Sequence, residues 1–402
     1  MIKNSIFLLI TLTIVSIFRV NAQDDNLKDW VESGKVENKS YYTEIPFRYI
    51  DGYIFIEITQ NEKKYNFLYD TGAEATVIDK SIINEFSFQR SSQVTIGGPI
   101  VETEDLQKLV ISEINIADIT YSNIGAVSTN LAFSNIKFCD KLHGIIGSNL
   151  IKKSKWQLDY DKELIKISND LTSFNIGTPK FVLDTKLPPK GFGTETIDIT
   201  INSTTLPFNV DTGNGRRKFV ANPKYFKKVI RKSDAVEYGF PKSYKDFYII
   251  PEKLKIEGID FSGQKVSLEN EVGNTQLIGN KFFENFVVTM DWANHKLFLD
   301  PIGKIPNDSE FDFPLYLNAN FETNKIEVKT GIREFLKKNK IEKGTTVMMI
   351  NDIDVSKLTD AEFCEFWNSQ WNEIKKNEEV KLKISNKGKE KNIVITKHKI
   401  TA

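Results

Sequence analysis

The sequence has little of what cross-linked or metal-dependent proteins are built from. Its 402 residues include two cysteines, Cys139 and Cys364. They could pair in an exported chain, but they fall in different expected domains, so free buried thiols are expected and no disulfide framework holds the fold. The three histidines, His143, His295 and His398, lie far apart and give no metal-ligand spacing, so neither a metal nor a cofactor is expected. Net charge is absent too. Lys+Arg and Asp+Glu each number 54, leaving no global field to draw nucleic acid or an anionic surface. Beyond the first 22 residues no run approaches 18 consecutive apolar residues, which argues against stable membrane insertion. At 40% hydrophobic and 27% charged, the composition is that of an ordinary globular protein with room for two or three domains.

The first 22 residues have their own pattern. A short cationic start, Met1-Ile2-Lys3-Asn4, precedes an apolar run from Ile6 to Phe18, and Val20-Asn21-Ala22 places small residues before Gln23. This reads as a signal peptide over 1–22, with an uncleaved anchor as the alternative, and implies export to a periplasmic or extracellular space. Removing it takes away Lys3 and Arg19 and no acid, leaving two more acids than bases. Residues 23–41 form an N-terminal extension, with a short propeptide as one reading.

Residues 42–300 read as short strands between turns. Tyr53–Ile58 and Tyr65–Tyr69 flank Asn61-Glu62-Lys63-Lys64, and the pattern recurs as Ile197–Ile201, Asn202-Ser203-Thr204 and Leu206–Val210. Each hairpin runs into Asp-Thr-Gly: Asp70-Thr71-Gly72 and Asp211-Thr212-Gly213. Further along, Ile145-Ile146-Gly147 is followed by Asp159, and Leu277-Ile278-Gly279 by Asp291, each Asp standing 12 positions after its Gly. An isolated Asp-Thr-Gly is a turn. Three marks in the same order, twice, are an internal duplication. Turn residues near 170–192 separate the halves, and Pro301–Asp308 ends the second, giving a first lobe 42–172, a second lobe 173–304 and a C-terminal domain 305–402.

The string Phe67-Leu68-Tyr69-Asp70-Thr71-Gly72-Ala73, with its second copy at Asp211-Thr212-Gly213-Asn214, resembles the active-site loops of aspartic peptidases of the retropepsin and pepsin type. The resemblance covers roughly residues 42–300. It implies a mainly β fold: two pseudo-twofold-related acid-protease barrel lobes in one chain, hence a monomer. It also implies catalysis by Asp70 and Asp211 on peptide or protein substrates, with Thr71, Gly72, Thr212 and Gly213 supporting the loops. The chemistry comes from proximity. Two carboxylates held together cannot both ionise; one serves as base toward water while the other, protonated, polarises the carbonyl. The rival implication is a peptide-binding pseudopeptidase.

Asn214 stands where pepsins carry Ser or Thr, and its amide is able to donate to the outer carboxylate oxygen. Arg216-Arg217-Lys218 opens a basic stretch to Lys232, read either as one solvated helix face from Asn222-Pro223 or as a basic rim that lowers the dyad's pKa or attracts acidic substrates. Gly97 and Gly98 in Val94–Ile100 are the flap candidate, an ordinary β-turn being the alternative. Residues 305–402 resemble a PDZ domain in Gly344–Val355, and a helix capped by Thr359 with Glu362 should come next. Pro314 stands where a carboxylate-binding Gly-rich loop is needed, so peptide capture there, and with it an adaptor role, is disfavoured against a packed structural appendage.

Overall fold

The structure, a computed structural model, describes residues 25–96, 104–131, 141–188, 194–226, 236–240, 246–269, 275–308, 311–321 and 323–399. Residues 1–24, the flap candidates Gly97 and Gly98, and Cys139 lie outside the described residues. The chain is mainly β.

Each lobe begins with the hairpin expected of its sequence. Tyr53–Gln60 pairs with Lys63–Tyr69 around Asn61 and Glu62, which hold φ of 49° and 62° as a two-residue hairpin turn of matching twist requires. Thr196–Ile201 pairs with Thr204–Asp211 in the second lobe, and Asn202 turns at φ 54°. Alternation sets the buried face of this strand: Ile197, Ile199 and Ile201 are all buried.

Beyond its hairpin, each lobe ties the same knot of strands. Gly144–Ile146 runs parallel to Lys63–Tyr69 and antiparallel to Thr76–Asp79, which itself runs parallel to Ile119–Thr129. Gln276–Gly279 runs parallel to Thr204–Asp211 and antiparallel to Phe219–Ala221, which runs parallel to Val266–Leu268. Parallel neighbours are buried on both faces, which explains the continuous apolar runs Ile145-Ile146 and Leu277-Ile278. The lobes are joined edge to edge. Lys155–Asp159 pairs antiparallel with Phe286–Asp291, Trp156 opposite Met290 and Leu158 opposite Val288. The later of the duplicated marks is therefore a shared sheet beneath both lobes, sealed by buried Trp156 against Tyr69, ring centroids 5.1 Å apart.

The N-terminal extension is built into the first lobe. Helix Asp25–Glu32 buries Leu27, Trp30 and Val31 in a cluster with Tyr53, Ala73, Ala75 and Val77. Trp30 Nε1 donates to Leu109 O at 2.7 Å, and Lys35–Val36 adds a strand beside Ile119–Thr129. Ala73 is the residue after Asp70-Thr71-Gly72, so this helix braces the loop from behind.

The C-terminal unit has its own core, with Phe313, Ile326, Val347, Phe363, Trp367, Trp371 and Leu382 among its members. A sheet in the order Leu315–Asn320, Lys325–Gly331, Thr346–Ile350, Glu379–Asn386, Lys389–Thr396 carries helices Arg333–Lys338 and Asp360–Glu365, the latter continuing to Ile374. Thr359 and Glu362 form the expected capping box, and Trp367 stacks on Trp371 at 6.1 Å. Phe240 from the second lobe packs on this core, and Gly239 N–H donates to Gly331 O at 3.0 Å. One expectation is corrected here. Cys364 is disulfide-bonded rather than a free thiol. No helix among the described residues is long and apolar enough to cross a membrane.

Candidate active site

Both Asp-Thr-Gly loops emerge from the ends of their hairpins and meet. Asp70 and Asp211 are fully buried, and their carboxylates stand side by side. The contact is so close that only glycine fits beside it. A Cβ on Gly72 would lie 2.3 Å from Asp211 Oδ1, and one on Gly213 would lie 2.3 Å from Asp70 Oδ2. Each glycine therefore faces the opposite lobe's carboxylate, which explains the residue type at both positions.

The threonines lock the loops reciprocally. Thr71 N–H donates to Thr212 Oγ1 at 2.9 Å, and Thr212 N–H to Thr71 Oγ1 at 3.0 Å. Each hydroxyl then donates onward across the axis, Thr71 to Val210 O at 2.7 Å and Thr212 to Tyr69 O at 3.0 Å. No hydroxyl or amide in this set lacks a partner, so each loop is held by the other lobe. Backbone N–H groups also turn on each carboxylate. Gly72 and Ala73 donate to Asp70 Oδ1 at 2.8 and 3.1 Å, and Asn214 donates to Asp211 Oδ1 at 3.1 Å.

Burial and the adjacent Asp70 carboxylate push the Asp211 carboxyl well above its usual range, against the opposing pull of the Gly213 and Asn214 N–H groups. Asp211 Oδ2 is buried and takes no hydrogen bond from a fixed donor. Its neighbour is Asp70, so the bond open to it runs through a proton the two share. The pair can thus supply one acid and one base at the same spot.

The glycines downstream sit beneath the loops. Ser148 N–H, just after Gly147, donates to Ala73 O at 2.7 Å, and Asn280 N–H, just after Gly279, donates to Asn214 O at 3.1 Å. Their side chains repeat the symmetry, Ser148 Oγ binding Thr71 O and Asn280 Nδ2 binding Thr212 O at 2.7 Å. Sequence reasoning gave these two residues no role. The signal was their identical place, directly after the Gly of each duplicated mark.

Two expectations for the second loop change. The Asn214 side chain is buried, and neither its Oδ1 nor its Nδ2 has a hydrogen-bond partner, so it does not hold the outer oxygen of Asp211. The first cations of the basic stretch are tied elsewhere: Arg216 to Asp51, Arg217 to Glu269 at 2.5 Å and Lys218 to Asp308 at 2.9 Å. Asp211 shifts upward, and the opposing pull comes from the Gly213 and Asn214 N–H groups. At the start of the expected helix Pro223–Tyr225 form a 3-10 turn, with Asn222 Oδ1 accepting from Lys224 N–H at 2.9 Å, and the rest of that stretch, from 227 to 232, lies outside the described residues. The strands on either side of the flap candidate are described, Ile96 pairing with Glu104.

Residues 56–150 match the family model described as aspartyl protease. No curated protein matches the chain. Among solved structures, the chain is similar to basic 7S globulin from soybean, at 10% identity and a TM-score of 0.40, over 65% of this chain and 95% of that one. The family match spans Asp70, its loop and the underlying Gly147, and the second lobe repeats the same parts, so the fold is aspartyl-protease-like.

Proposed function

We propose that the protein is an aspartic endopeptidase that hydrolyses peptide bonds in peptide or protein substrates. The observation that carries this reading is the abutting, buried pair Asp70 and Asp211, locked by reciprocal threonines. The ionised member takes a proton from a water lying between the carboxylates and the scissile carbonyl. The protonated member donates to the carbonyl oxygen as the tetrahedral intermediate forms. Proton transfer to the leaving nitrogen then completes cleavage and restores one shared proton. The neighbouring N–H donors keep one oxygen of each carboxylate fixed through the cycle. The Cys364 disulfide fits an exported chain, the compartment the N-terminal segment also suggests.

The test is cleavage of a mixed peptide library by the wild type, Asp70→Asn and Asp211→Asn, with and without a statine-type inhibitor whose hydroxyl mimics the attacking water. Cleavage that both substitutions abolish and the inhibitor blocks supports the reading. A wild type that binds peptides yet cuts none would make the protein a pseudopeptidase.

A further inference from the structure

The sheets of the two lobes run in the same order. In the first lobe it is Phe88–Ile96, Glu104–Ile116, Ile119–Thr129, Thr76–Asp79, Gly144–Ile146, Lys63–Tyr69. In the second it is Val236–Tyr238, Asp246–Ile249, Val266–Leu268, Phe219–Ala221, Gln276–Gly279, Thr204–Asp211. The antiparallel pair Val236–Tyr238 and Asp246–Ile249 therefore occupies the place that the strands flanking the flap candidate occupy in the first lobe. In the second lobe the C-terminal unit grips this pair. Directly after Tyr238, Gly239 N–H donates to Gly331 O at 3.0 Å and Phe240 packs on the unit's core, while the Tyr248 ring meets Tyr316, centroids 5.8 Å apart. Lys265 adds an ion pair to Asp312 at 3.3 Å.

A second grip reaches the Asp211 loop itself. Arg216, five residues after Asp211, pairs with Asp51 and donates from Nη1 to Asn318 Oδ1 at 3.4 Å, on the strand Leu315–Asn320 of the C-terminal unit. The residue after Asp51, Gly52, holds φ of 87° and lies against the Gly215 backbone with no room for a Cβ. Gly52 O accepts from Asn280 Nδ2 at 2.9 Å, and the same amide donates to Thr212 O at 2.7 Å. An unbroken run of contacts thus joins Asn318, through Arg216, the Asp51–Gly52 turn and Asn280, to the loop that carries Asp211. Its weak member is the partly exposed Arg216–Asp51 pair, because such a pair contributes little unless its surroundings fix both side chains. The C-terminal unit supplies part of those surroundings through Asn318.

We infer that the C-terminal unit positions the Asp211 half of the carboxylate pair, as the N-terminal helix braces the Asp70 half from behind Ala73. Arg216 is the positioning residue: it touches no reacting atom and acts through the Asp51–Gly52 turn and Asn280 on Thr212. Phe240 and Asn318 are the two points at which the unit holds the second lobe, one on the strand pair and one on Arg216. Loosening both should free the second loop from one side while the apolar cluster behind the first loop stays packed. The positioning itself stands on these contacts; its consequence for cleavage rests on the peptidase reading.

The test is amide hydrogen exchange on the full chain carrying Phe240→Ala and Asn318→Ala together, read at matched amides of the two lobes. Asn280 N–H, bonded to Asn214 O, reports the second loop, and Ser148 N–H, bonded to Ala73 O, reports the first. The double variant should exchange about tenfold faster at Asn280 and Asn214 and stay within about twofold of wild type at Ser148 and Thr76. Should it fail to fold, Asn318→Ala alone is to give a smaller rise at the same amides, and Asn318→Asp, which keeps an acceptor for Arg216, is to restore wild-type exchange. No rise at Asn280, or an equal rise in both lobes, overturns the inference, the latter because it would mean general destabilisation. On a short peptide that the wild type cleaves, the double variant should lose about tenfold in kcat, with KM changed by less than about twofold; an unchanged kcat overturns it as well. If the wild type cuts no peptide, the peptidase reading fails by itself, and exchange alone decides: the one-sided rise upholds the positioning and its absence overturns it.

Discussion

The two Asp-Thr-Gly loops share their backbone bonds and differ in what supports them. In the first lobe, Ala73 and Ala75 rest on an apolar cluster with Trp30 and Leu27 of the N-terminal helix. In the second, Asn214 occupies the place of Ala73, Asn280 Nδ2 bridges Thr212 O and Gly52 O at 2.7 and 2.9 Å, and Tyr160 OH donates to Asn280 Oδ1 at 2.8 Å. One loop is propped by packing and the other by hydrogen bonds. The reciprocal threonine bonds between the lobes are the same in both halves. The added supports differ in origin: the apolar cluster behind the first loop comes from the first lobe and its N-terminal helix, whereas Gly52 and Tyr160 reach the second loop from the opposite lobe.

The largest expected effect should be the same for both lobes. Asp70→Asn and Asp211→Asn should each lower turnover by on the order of 10²–10⁴-fold or more, because neither remaining group can supply both proton transfers. Stability should move the other way for Asp211. Its folded carboxyl sits above the unfolded value, so the stability it contributes is present at low pH and is lost as pH rises through the raised value. Asp211→Asn should therefore gain melting temperature over the wild type progressively above about pH 4, the ordinary aspartate range. A difference that stays flat with pH would contradict the buried, proton-sharing pair.

The next effect should separate the lobes. Trp30→Ala empties part of the cluster behind the first loop and should cost about 3–5 kcal/mol in denaturant titration. Removal of residues 23–36 should be at least as damaging, which would rule out that segment as a detachable propeptide. Smaller, and symmetric again, should be Thr71→Val and Thr212→Val. Each strips a hydroxyl that both accepts and donates across the axis, so each should cost about 1–3 kcal/mol, and the pair together should cost less than the sum. Clearly unequal single losses would show that one lobe holds the other rather than both holding each other.

The smallest effect makes the loops alike. Asn214→Ala gives the second loop the residue of the first and removes a buried amide that has no partner. It should leave stability unchanged or raise it by about 1 kcal/mol. A loss above that size, read from the same titration, would mean the amide holds something that matters to the loop.

The duplicated parts were legible because local chemistry encodes them: hairpin turns at Asn61 and Asn202, alternating isoleucines, and glycines where no Cβ fits. The capping box at Thr359 was legible for the same reason. What escaped depends on partners distant in the chain. Arg216, Arg217 and Lys218 read as a solvated basic face because their acids stand at 51, 269 and 308. The disulfide of Cys364 was missed because it depends on how separate parts of the chain come together. The eight-residue helix Asp25–Glu32 carries few apolar residues, and its role is set by the pocket that takes Trp30.

The shared sheet beneath the lobes also sets a schedule for synthesis. Lys155–Asp159 has Leu164–Ser168 on one side almost at once, but its other neighbour is Phe286–Asp291. Asp159 pairs with Val287, so about 128 further residues must be made before that edge closes, roughly 6–25 s at ordinary elongation rates. For that interval the nascent first lobe carries an open strand with Trp156 and Leu158 in it. An unpaired apolar edge is a template for any other chain. The second lobe is thus a late-arriving cover as well as the source of one of the two paired carboxylates, and slowing translation between residues 160 and 286 should increase aggregation of the newborn chain.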